Sequence, residues 1–299
     1  MPVPKNDKGI SMLKDKLAGM VLIGTLASSC CFAMEREIAL TIDDLPFVGS
    51  NNKNANSVKR SNDRIQSIIQ ALVDHKIPAT GFIIGEAVTK EQLPLLEEFR
   101  ANGIALGNHT WSHKSLNNLS AENYIADIDR ADKKLTPLLT EPKYFRYPYL
   151  AESKGAKKQQ VYDYLAEHEY IIAPVTIDSK DYNFNARLLA VPWQNRAEKL
   201  KQIQARYLEY VWNQTLKAEE RAQKKGSTGK QILLIHANLL NSHSLGLLID
   251  MYQKNGYTFI GLNEAIAALP AKKTEAAPEA SPEAEKPKDV STSVPGASS

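Results

Sequence analysis

Apolar residues occur along the chain in two alternating patterns. Short apolar runs predict β-strands at residues 38–42, 80–84, 104–106, 144–146, 170–177, 232–235 and 257–260. Between these runs, apolar residues recur at helical spacing, which predicts helices at residues 65–73, 91–100, 120–139, 157–169, 245–252 and 263–269. About seven strand–helix units in succession indicate an α/β fold with a parallel sheet, most simply a single closed or nearly closed β/α barrel.

One segment, residues 183–230, interrupts this alternation. Within it, residues 196–225 read as one long polar helix inserted before the last motif. Its apolar stripe consists of Leu200, Ile203, Tyr207 and Val211. The polar side is rich in lysine and arginine, which leaves a basic surface near a site and an ordinary solvated helix face as two open interpretations. A helix of this length could also cover or extend a cleft.

The composition is that of a globular protein. Of the 299 residues, 43% are hydrophobic and 24% are charged, and the formal net charge is +3. A charge this small excludes a protein built mainly to neutralise nucleic-acid phosphates. We therefore expect no nucleic-acid partner, and we expect a monomer.

The two ends of the chain differ from its body. Residues 1–33 begin with lysines, continue with an uncharged apolar stretch and end on small residues, which is typical of a cleaved secretory signal peptide. Residues 271–299 are rich in Pro, Ala, Ser and Glu and contain no aromatic residue, so we expect a disordered tail. These limits leave residues 34–270 as the folded domain.

A signal peptide implies export, so we expect a periplasmic or secreted protein with no stable membrane span after cleavage. A leader retained as an anchor and lipidation of Cys30 are the alternatives. Cys30 and Cys31 are the only cysteines, and both lie at the expected cleavage site, so the mature chain would have no disulfide and no cysteine metal ligand. Either Met1 or Met12 could be the true start.

Chemistry in a β/α barrel gathers at the carboxyl ends of the strands, and several predicted strands end on ionisable residues. The first strand ends on Asp43 and Asp44, and Pro46 stops it, so both carboxylates can turn toward the barrel mouth. An aspartate pair that merely opens a turn is the alternative.

The third strand leads into His109 and His113, whose spacing predicts two imidazoles on one face of a helical turn. Such a pair, with one aspartate, could hold a divalent ion and leave positions open for water and substrate.

Three further strand ends carry charged residues. Arg146 could hold a carboxylate in a fixed orientation, or it could be a surface arginine. Asp178 and Asp181 follow another strand, and His236 ends the next apolar run, where a core histidine is the alternative. Because five strand ends each deliver an acid, a base or a metal ligand, we infer a catalytic site at one end of the barrel.

These five segments, in this order, resemble the NodB-homology polysaccharide deacetylases, carbohydrate esterase family four, over about residues 38–265. The resemblance implies a distorted β/α barrel that uses a divalent metal to remove acetyl groups from N-acetylated or O-acetylated polysaccharides. The metal is commonly zinc, and cobalt, manganese or nickel could replace it. For an exported chain, the expected substrate is a cell-wall glycan such as peptidoglycan or a chitin-like oligomer.

The resemblance also implies roles for individual residues. The implied metal ligands are Asp44, His109 and His113. The implied catalytic residues are Asp43 as general base, His236 as general acid, Arg146 to orient the base and Asp181 to pair with the acid. The implied substrate-binding residues are Tyr149, whose backbone N–H would face the oxyanion, Tyr182, which would wall the acetyl pocket, and Leu234.

The chain departs from the family's usual pattern at two positions. Leu45 stands where the family usually has Gly, and Tyr182 stands where it usually has Trp, so substrate choice is open. A secreted carbohydrate-binding protein without turnover is one alternative. A metallophosphoesterase is a more distant one, because its motif resembles residues 107–109 but continues with an acid where this chain has Thr110. A glycosidase would have no use for the histidine pair.

Overall fold

The computed structural model describes residues 35–47, 55–227 and 229–269. These residues form eight parallel strands and eight α-helices. The strands are β1 (Arg36–Leu45), β2 (Thr80–Ile83), β3 (Ala105–Asn108), β4 (Tyr144–Phe145), β5 (Ile171–Ile172), β6 (Ile177–Asp178), β7 (Gln231–His236) and β8 (Tyr257–Phe259). The helices are α1 (Ala55–Asp74), α2 (Leu93–Ala101), α3 (Ala121–Leu135), α4 (Gly155–Glu167), α5 (Asp181–Ala190), α6 (Trp193–Lys224), α7 (Leu239–Lys254) and α8 (Leu262–Ala267). The predicted signal peptide at 1–33 and the predicted tail at 271–299 lie outside the described residues.

The strands form one curled sheet in the order β5-β4-β3-β2-β1-β7-β6, and β8 pairs with the start of β1. β5 and β6 are the two edges of this order, yet Ile172 and Ile177 are only five peptide units apart in the chain. Five units span at most about 18 Å, so the two edges must lie close together. The sheet is therefore curled most of the way into a barrel, which confirms the predicted distorted β/α barrel.

The core forms where the sheet meets the surrounding helices. Ile38, Leu40 and Ile42 alternate along β1 and are buried against apolar residues of α1 and α7. Burying a side chain of this size contributes roughly 1.5–3 kcal/mol. The apolar residues that predicted α1 thus share one core with β1, the strand that carries Asp43.

The predicted strand at residues 170–177 is wrong as a single element. The structure divides it into β5 and β6, because Pro174 has no N–H to continue a ladder. On one side of Pro174, the Ala173 N–H donates to the carbonyl of Phe145 at 2.8 Å. On the other side, the Thr176 N–H donates to the carbonyl of Ile232 at 3.0 Å. Residues 173–176 therefore connect the two edge strands, β5 and β6, where the barrel closes; we call this junction the seam of the barrel.

The inserted helix is confirmed as α6, and α5, directly before it, was not predicted from the sequence. Tyr207, Val211, Thr215 and Ala218 form a buried stripe along α6. The helix packs with this stripe against α5, α7 and β6, so it is part of the folded body. Among the described residues, no helix is both long enough and apolar enough to cross a membrane.

Candidate active site

A cleft of about 480 Å³ opens at the carboxyl ends of the strands. Eight residues predicted for the site line it, namely Asp43, Asp44, His109, His113, Tyr149, Tyr182, Leu234 and His236. The other two predicted residues, Arg146 and Asp181, are buried behind Asp43 and His236. No residue of α6 is among those that line this cleft, so the expectation that the long helix covers or extends it is wrong for the described part of the chain.

The backbone of β1 explains how two adjacent aspartates reach one cleft. Asp43 pairs with His236 of β7 in regular register, and the pairing of β1 with β2 shifts between Ile42 and Leu45. Within this irregularity, Asp44 is in the left-handed region at φ 62°. β1 ends at Leu45, directly before Pro46 as predicted, and the irregularity at Asp44 within the strand brings the second carboxylate to the cleft. A left-handed non-glycine residue is costly, and such residues concentrate at functional sites.

His109 and His113 are carried by the loop after β3, and the predicted helical turn is wrong. Residues 109–115 are non-helical, and Thr110 and His113 have φ values of 65° and 53°. The loop is held by hydrogen bonds in which Asn108 Oδ1 accepts from the Thr110 N–H at 2.8 Å, and Thr110 Oγ1 accepts from the His113 N–H at 3.1 Å. Polar side chains, which a helical spacing rule does not consider, thus bring the two rings together.

Asp44, His109 and His113 form a cluster whose ligand atoms all lie within 4.8 Å of one another. Asp44 Oδ1 is 3.4 Å from Nε2 of His109 and 3.1 Å from Nε2 of His113. The Nδ1 of His109 lies 2.8 Å from the carbonyl oxygen of Arg146, which can only accept, so Nδ1 carries the proton. The neutral ring then presents a lone pair at Nε2, as in metal-binding histidines.

The donor set fits a divalent cation. Asp44 Oδ1 is buried and has no hydrogen-bond partner among the described residues, although Nε2 of His109 faces it. Two acceptors that face each other repel unless a cation lies between them, and two imidazoles with one carboxylate are ligands typical of zinc with open positions. With no metal bound, protons on the His109 and His113 rings would outweigh burial, which alone raises the pKa of Asp44, and hold that pKa well below its usual range; a bound cation would take the place of those ring protons. Asp44 is thus ionised, as a metal ligand must be.

Asp43 is paired with a buried arginine. Arg146 Nη1 lies 3.3 Å from Asp43 Oδ1 and 3.4 Å from Oδ2, and both side chains are almost fully buried. Nη2 of Arg146 donates to Thr41 Oγ1 at 3.2 Å, and the guanidinium stacks over the ring of Phe82 at 4.7 Å. These contacts fix the position of the guanidinium, which places a positive charge beside the buried Asp43 carboxyl group. The alternative of a surface arginine is therefore wrong.

His236 is held by Asp181, which is fully buried. Oδ1 of Asp181 lies 2.7 Å from Nδ1 of His236, and Oδ2 accepts from the backbone N–H of His236 at 2.8 Å. This leaves Nε2 as the ring nitrogen available to the cleft. Burial lowers the pKa of His236, but the Asp181 charge and hydrogen bond outweigh burial and raise it to about 10. The ring is consequently protonated at neutral pH and is not a simple core histidine.

Two asparagines complete the environment of Asp181, and sequence reasoning missed both. The side-chain N–H groups of Asn238 and Asn241 donate to Oδ2 of Asp181 at 2.8 Å and 2.5 Å. Asn238 is also the N-cap of α7, where its side chain accepts from the N–H of Asn241 at 3.0 Å. An asparagine before an apolar helix is a recognisable N-cap signal, so Asn238 could have been found.

Aromatic residues form two walls of the cleft. The ring of Tyr149 lies 4.7 Å from that of His113 and is 70% exposed, and Tyr149 is in the left-handed region at φ 58°. On the other side, the ring of Tyr182 meets His236 edge-on at 5.9 Å. Leu234 is buried between the strands and lines the floor of the cleft near His236.

This geometry can be compared with that of known proteins. The family model described as "Polysaccharide deacetylase" matches residues 33–169, which include Asp43, Asp44, both histidines and Arg146. Residues 33–169 are thus similar to the polysaccharide deacetylase family. Four predicted residues lie beyond the matched segment. Tyr182, Leu234 and His236 line the same cleft, and Asp181 lies behind His236.

Two curated relatives carry deacetylase names. A peptidoglycan-N-acetylglucosamine deacetylase of Bacillus cereus is 28% identical over 148 residues, which is 49% of this chain and 46% of the relative. A chitin deacetylase of Arthroderma benhamiae is 25% identical over 170 residues, which is 56% of this chain and 40% of the relative. The chain thus matches about half or less of the length of either relative.

A solved structure shares the fold. It is a mutant, with restored enzymatic activity, of a CE4 family pseudoenzyme from Bacillus anthracis. The TM-score is 0.55 at 18% identity, and the match covers 78% of this chain and 68% of the other. At this identity the likeness establishes the shared architecture alone.

Proposed function

We propose that this chain is a metal-dependent hydrolase that removes acetyl groups from an N-acetylated or O-acetylated polysaccharide. One observation carries the proposal: the Asp44, His109 and His113 cluster lies in the same cleft as Asp43 and His236, each of which has its own charged partner behind it. The match of residues 33–169 to the polysaccharide deacetylase family model supports polysaccharide deacetylation as the reaction class. The names of the two relatives make peptidoglycan and chitin-like oligomers the proposed substrates.

Asp44, His109 and His113 would hold the metal, with zinc as the proposed ion and cobalt, manganese or nickel as substitutes. When bound, such an ion lowers the pKa of a water molecule and polarises a carbonyl group. The role of the chain is to keep Asp44 ionised and to hold both imidazoles with Nε2 inward. The contact between Nδ1 of His109 and the Arg146 carbonyl supports this role, because it fixes the tautomer.

Asp43 would act as general base. The Asp43 carboxylate, held by Arg146, would accept the proton of the attacking water. Oδ2 of Asp43 is 3.7 Å from Nε2 of His109, so the base lies beside the metal cluster rather than within it. The arginine would orient the carboxylate and compensate its charge.

His236 would act as general acid. An amine leaving group must gain a proton as the acetyl carbon–nitrogen bond breaks, and His236 is protonated because Asp181 raises its pKa to about 10. The two proton carriers would therefore act on opposite steps, with Asp43 taking a proton and Nε2 of His236 giving one. The backbone N–H of Tyr149 is the proposed oxyanion donor, and Tyr182 and Leu234 would enclose the acetyl methyl group.

We further propose that the chain is exported, because its substrate would be a cell-wall glycan. Residues 1–33 carry this proposal, and detection of a shortened chain in the medium or periplasm would test it. Retention of the full-length chain in the cytoplasm would contradict it.

Acetate release tests the proposed activity. The substrates are N-acetylglucosamine oligomers, peptidoglycan and acetylated xylan, each with zinc and with a chelator. We expect acetate from at least one of them with zinc and none with the chelator. Binding of an oligomer without any acetate would instead indicate a carbohydrate-binding protein, and absence of both would remove the glycan proposal.

A further inference from the structure

Lys180 lies on the rim of the cleft in a fixed and unusual backbone conformation. It precedes α5 as the N-cap, and its φ of 50° is in the left-handed region. Both oxygens of Asp178 hold it: Oδ1 accepts from the Lys180 N–H at 3.0 Å, and Oδ2 lies 2.6 Å from Nζ. Lys180 and Asp178 both line the cleft. A left-handed lysine held at both its backbone and its side chain is a positioned group rather than a freely moving surface lysine.

The ammonium group is also placed against the aromatic wall. Nζ of Lys180 lies 5.5 Å from the centre of the Tyr182 ring, and that ring touches His236. The lysine therefore stands on the same wall as the proposed general acid, opposite Tyr149. An ammonium has three N–H donors, and its side-chain hydrogen-bond partners are Asp178 and Tyr182, so Lys180 retains one donor for a ligand in the cleft.

The charge balance of this pair indicates what it can bind. Asp178 neutralises Lys180 at 2.6 Å, so the pair has little net attraction for an anion. It offers a strong donor on Lys180 next to acceptor oxygens on Asp178. Sugar hydroxyl groups are both donors and acceptors, and neutral polysaccharides are recognised by such paired groups together with aromatic faces.

We propose that Lys180, positioned by Asp178, is a specificity-determining residue that binds the hydroxyl groups of an uncharged sugar in the cleft. This inference rests on the proposed function for the identity of the ligand as a glycan. Lys180 itself transfers no proton and touches no metal ligand in this assignment. The Tyr182 ring would pack against one sugar, Lys180 would donate to its hydroxyl groups, and the acetyl group would point toward Asp43.

Binding to a chain that cannot turn over tests the inference directly. The probe is a neutral N-acetylglucosamine tetramer, titrated by calorimetry into zinc-loaded Asp43→Asn protein and into the same protein with Lys180→Ala. We expect Kd to rise about tenfold in the double variant, the size expected for losing one hydrogen bond from a charged donor. Lys199→Ala in the Asp43→Asn background is the control, because Lys199 is exposed on α6, pairs with its neighbour Glu198 and is not among the residues that line the cleft; its Kd should not change.

A second probe separates hydroxyl binding from anion binding. A peptidoglycan fragment carries carboxylates, and Lys180→Ala should weaken its binding by the same factor as that of the neutral tetramer. A loss confined to the acidic fragment, an unchanged Kd for the tetramer, or no binding of the tetramer to the Asp43→Asn chain would each overturn the inference. Acetate release by the wild-type chain tests the proposed function separately, so the two can fail independently.

Discussion

Asp43 and His236 occupy paired positions on neighbouring parallel strands, β1 and β7. The Asp43 carbonyl accepts from the N–H of Ala237 at 3.0 Å, which extends this pairing by one residue. The proposed base and acid therefore stand at the same level of the sheet. Each has its own buried partner of opposite charge, Arg146 for one and Asp181 for the other. The sheet thus sets the separation of the two groups, and each partner places the opposite charge beside its group.

Asp43→Asn should abolish turnover and leave the metal site intact. The amide cannot accept a proton, and Asp43 is not one of the three clustered ligands, so kcat should fall by about 10²–10⁴ while one zinc still binds. Acetate release and metal content, measured on the same preparation, check this.

His113→Ala should behave differently, because it removes a ligand of the cluster. We expect loss of both zinc binding and turnover. Equal loss of zinc in this variant and in Asp43→Asn would show that the roles of the two residues are misassigned.

Asp181→Asn should lower the pKa of His236. Asp181 is the main cause of the rise from 6.5 to about 10, so its neutralisation should move the pKa back toward the ordinary value. An NMR titration of the histidine rings in the metal-free chain measures this. An unchanged high pKa would exclude Asp181 as the cause.

The same pair should make folding stability depend on pH. His236 has a higher pKa folded than unfolded, so its stabilising contribution is complete below about 6.5 and is lost as the pH rises through about 10. Chemical unfolding between pH 6 and 10 should show this loss in the wild-type chain. Asp181→Asn should remove most of the slope, and an identical slope in both chains would contradict the assignment.

Arg146→Met should destabilise the fold. It leaves the buried Asp43 carboxylate without its countercharge, and breaking a buried pair on one side costs about 3–5 kcal/mol. Arg206→Met, on the exposed side of α6, is the control and should change the free energy of unfolding little. Equal effects of the two substitutions would show that the Asp43 pair adds nothing specific.

Tyr207→Ala tests whether α6 is part of the folded body. The ring is fully buried against Phe184 of α5, so its removal should cost about 3–5 kcal/mol of unfolding free energy. Glu209→Ala, on the exposed side of the same helix, should have little effect. A small effect of both would mean that α6 is a dispensable insertion.

The sequence was sufficient to predict the barrel and the residues at its strand ends. Strand periodicity places Asp43 and His236 at strand ends, and parallel strands bring those ends to one edge, so the cleft follows from the order of elements. The seam at Pro174 was not predicted, because an apolar run does not reveal that its two halves pair with different strands.

Local backbone geometry was the least predictable part of the site. The left-handed residues Asp44, Thr110 and His113 depend on side-chain hydrogen bonds and on a register shift, which exist only once the strands are assembled. The contact of Asn241 depends on Asp181, which is 60 residues away in the chain. The contact of Lys180 with Asp178 depends on the backbone conformation at the start of α5. Residue spacing thus identified the residues of the site, and tertiary contacts determine the orientation of their side chains.

We propose that this cleft removes acetyl groups with one divalent ion held by Asp44, His109 and His113. The most direct measurement is the rate of acetate release from an N-acetylglucosamine tetramer as zinc is returned to chelator-treated protein. We predict no acetate without zinc, and a rate that rises until one ion is bound per chain. Acetate release that is independent of zinc, or a zinc-loaded chain that binds the tetramer and releases no acetate, would contradict the account.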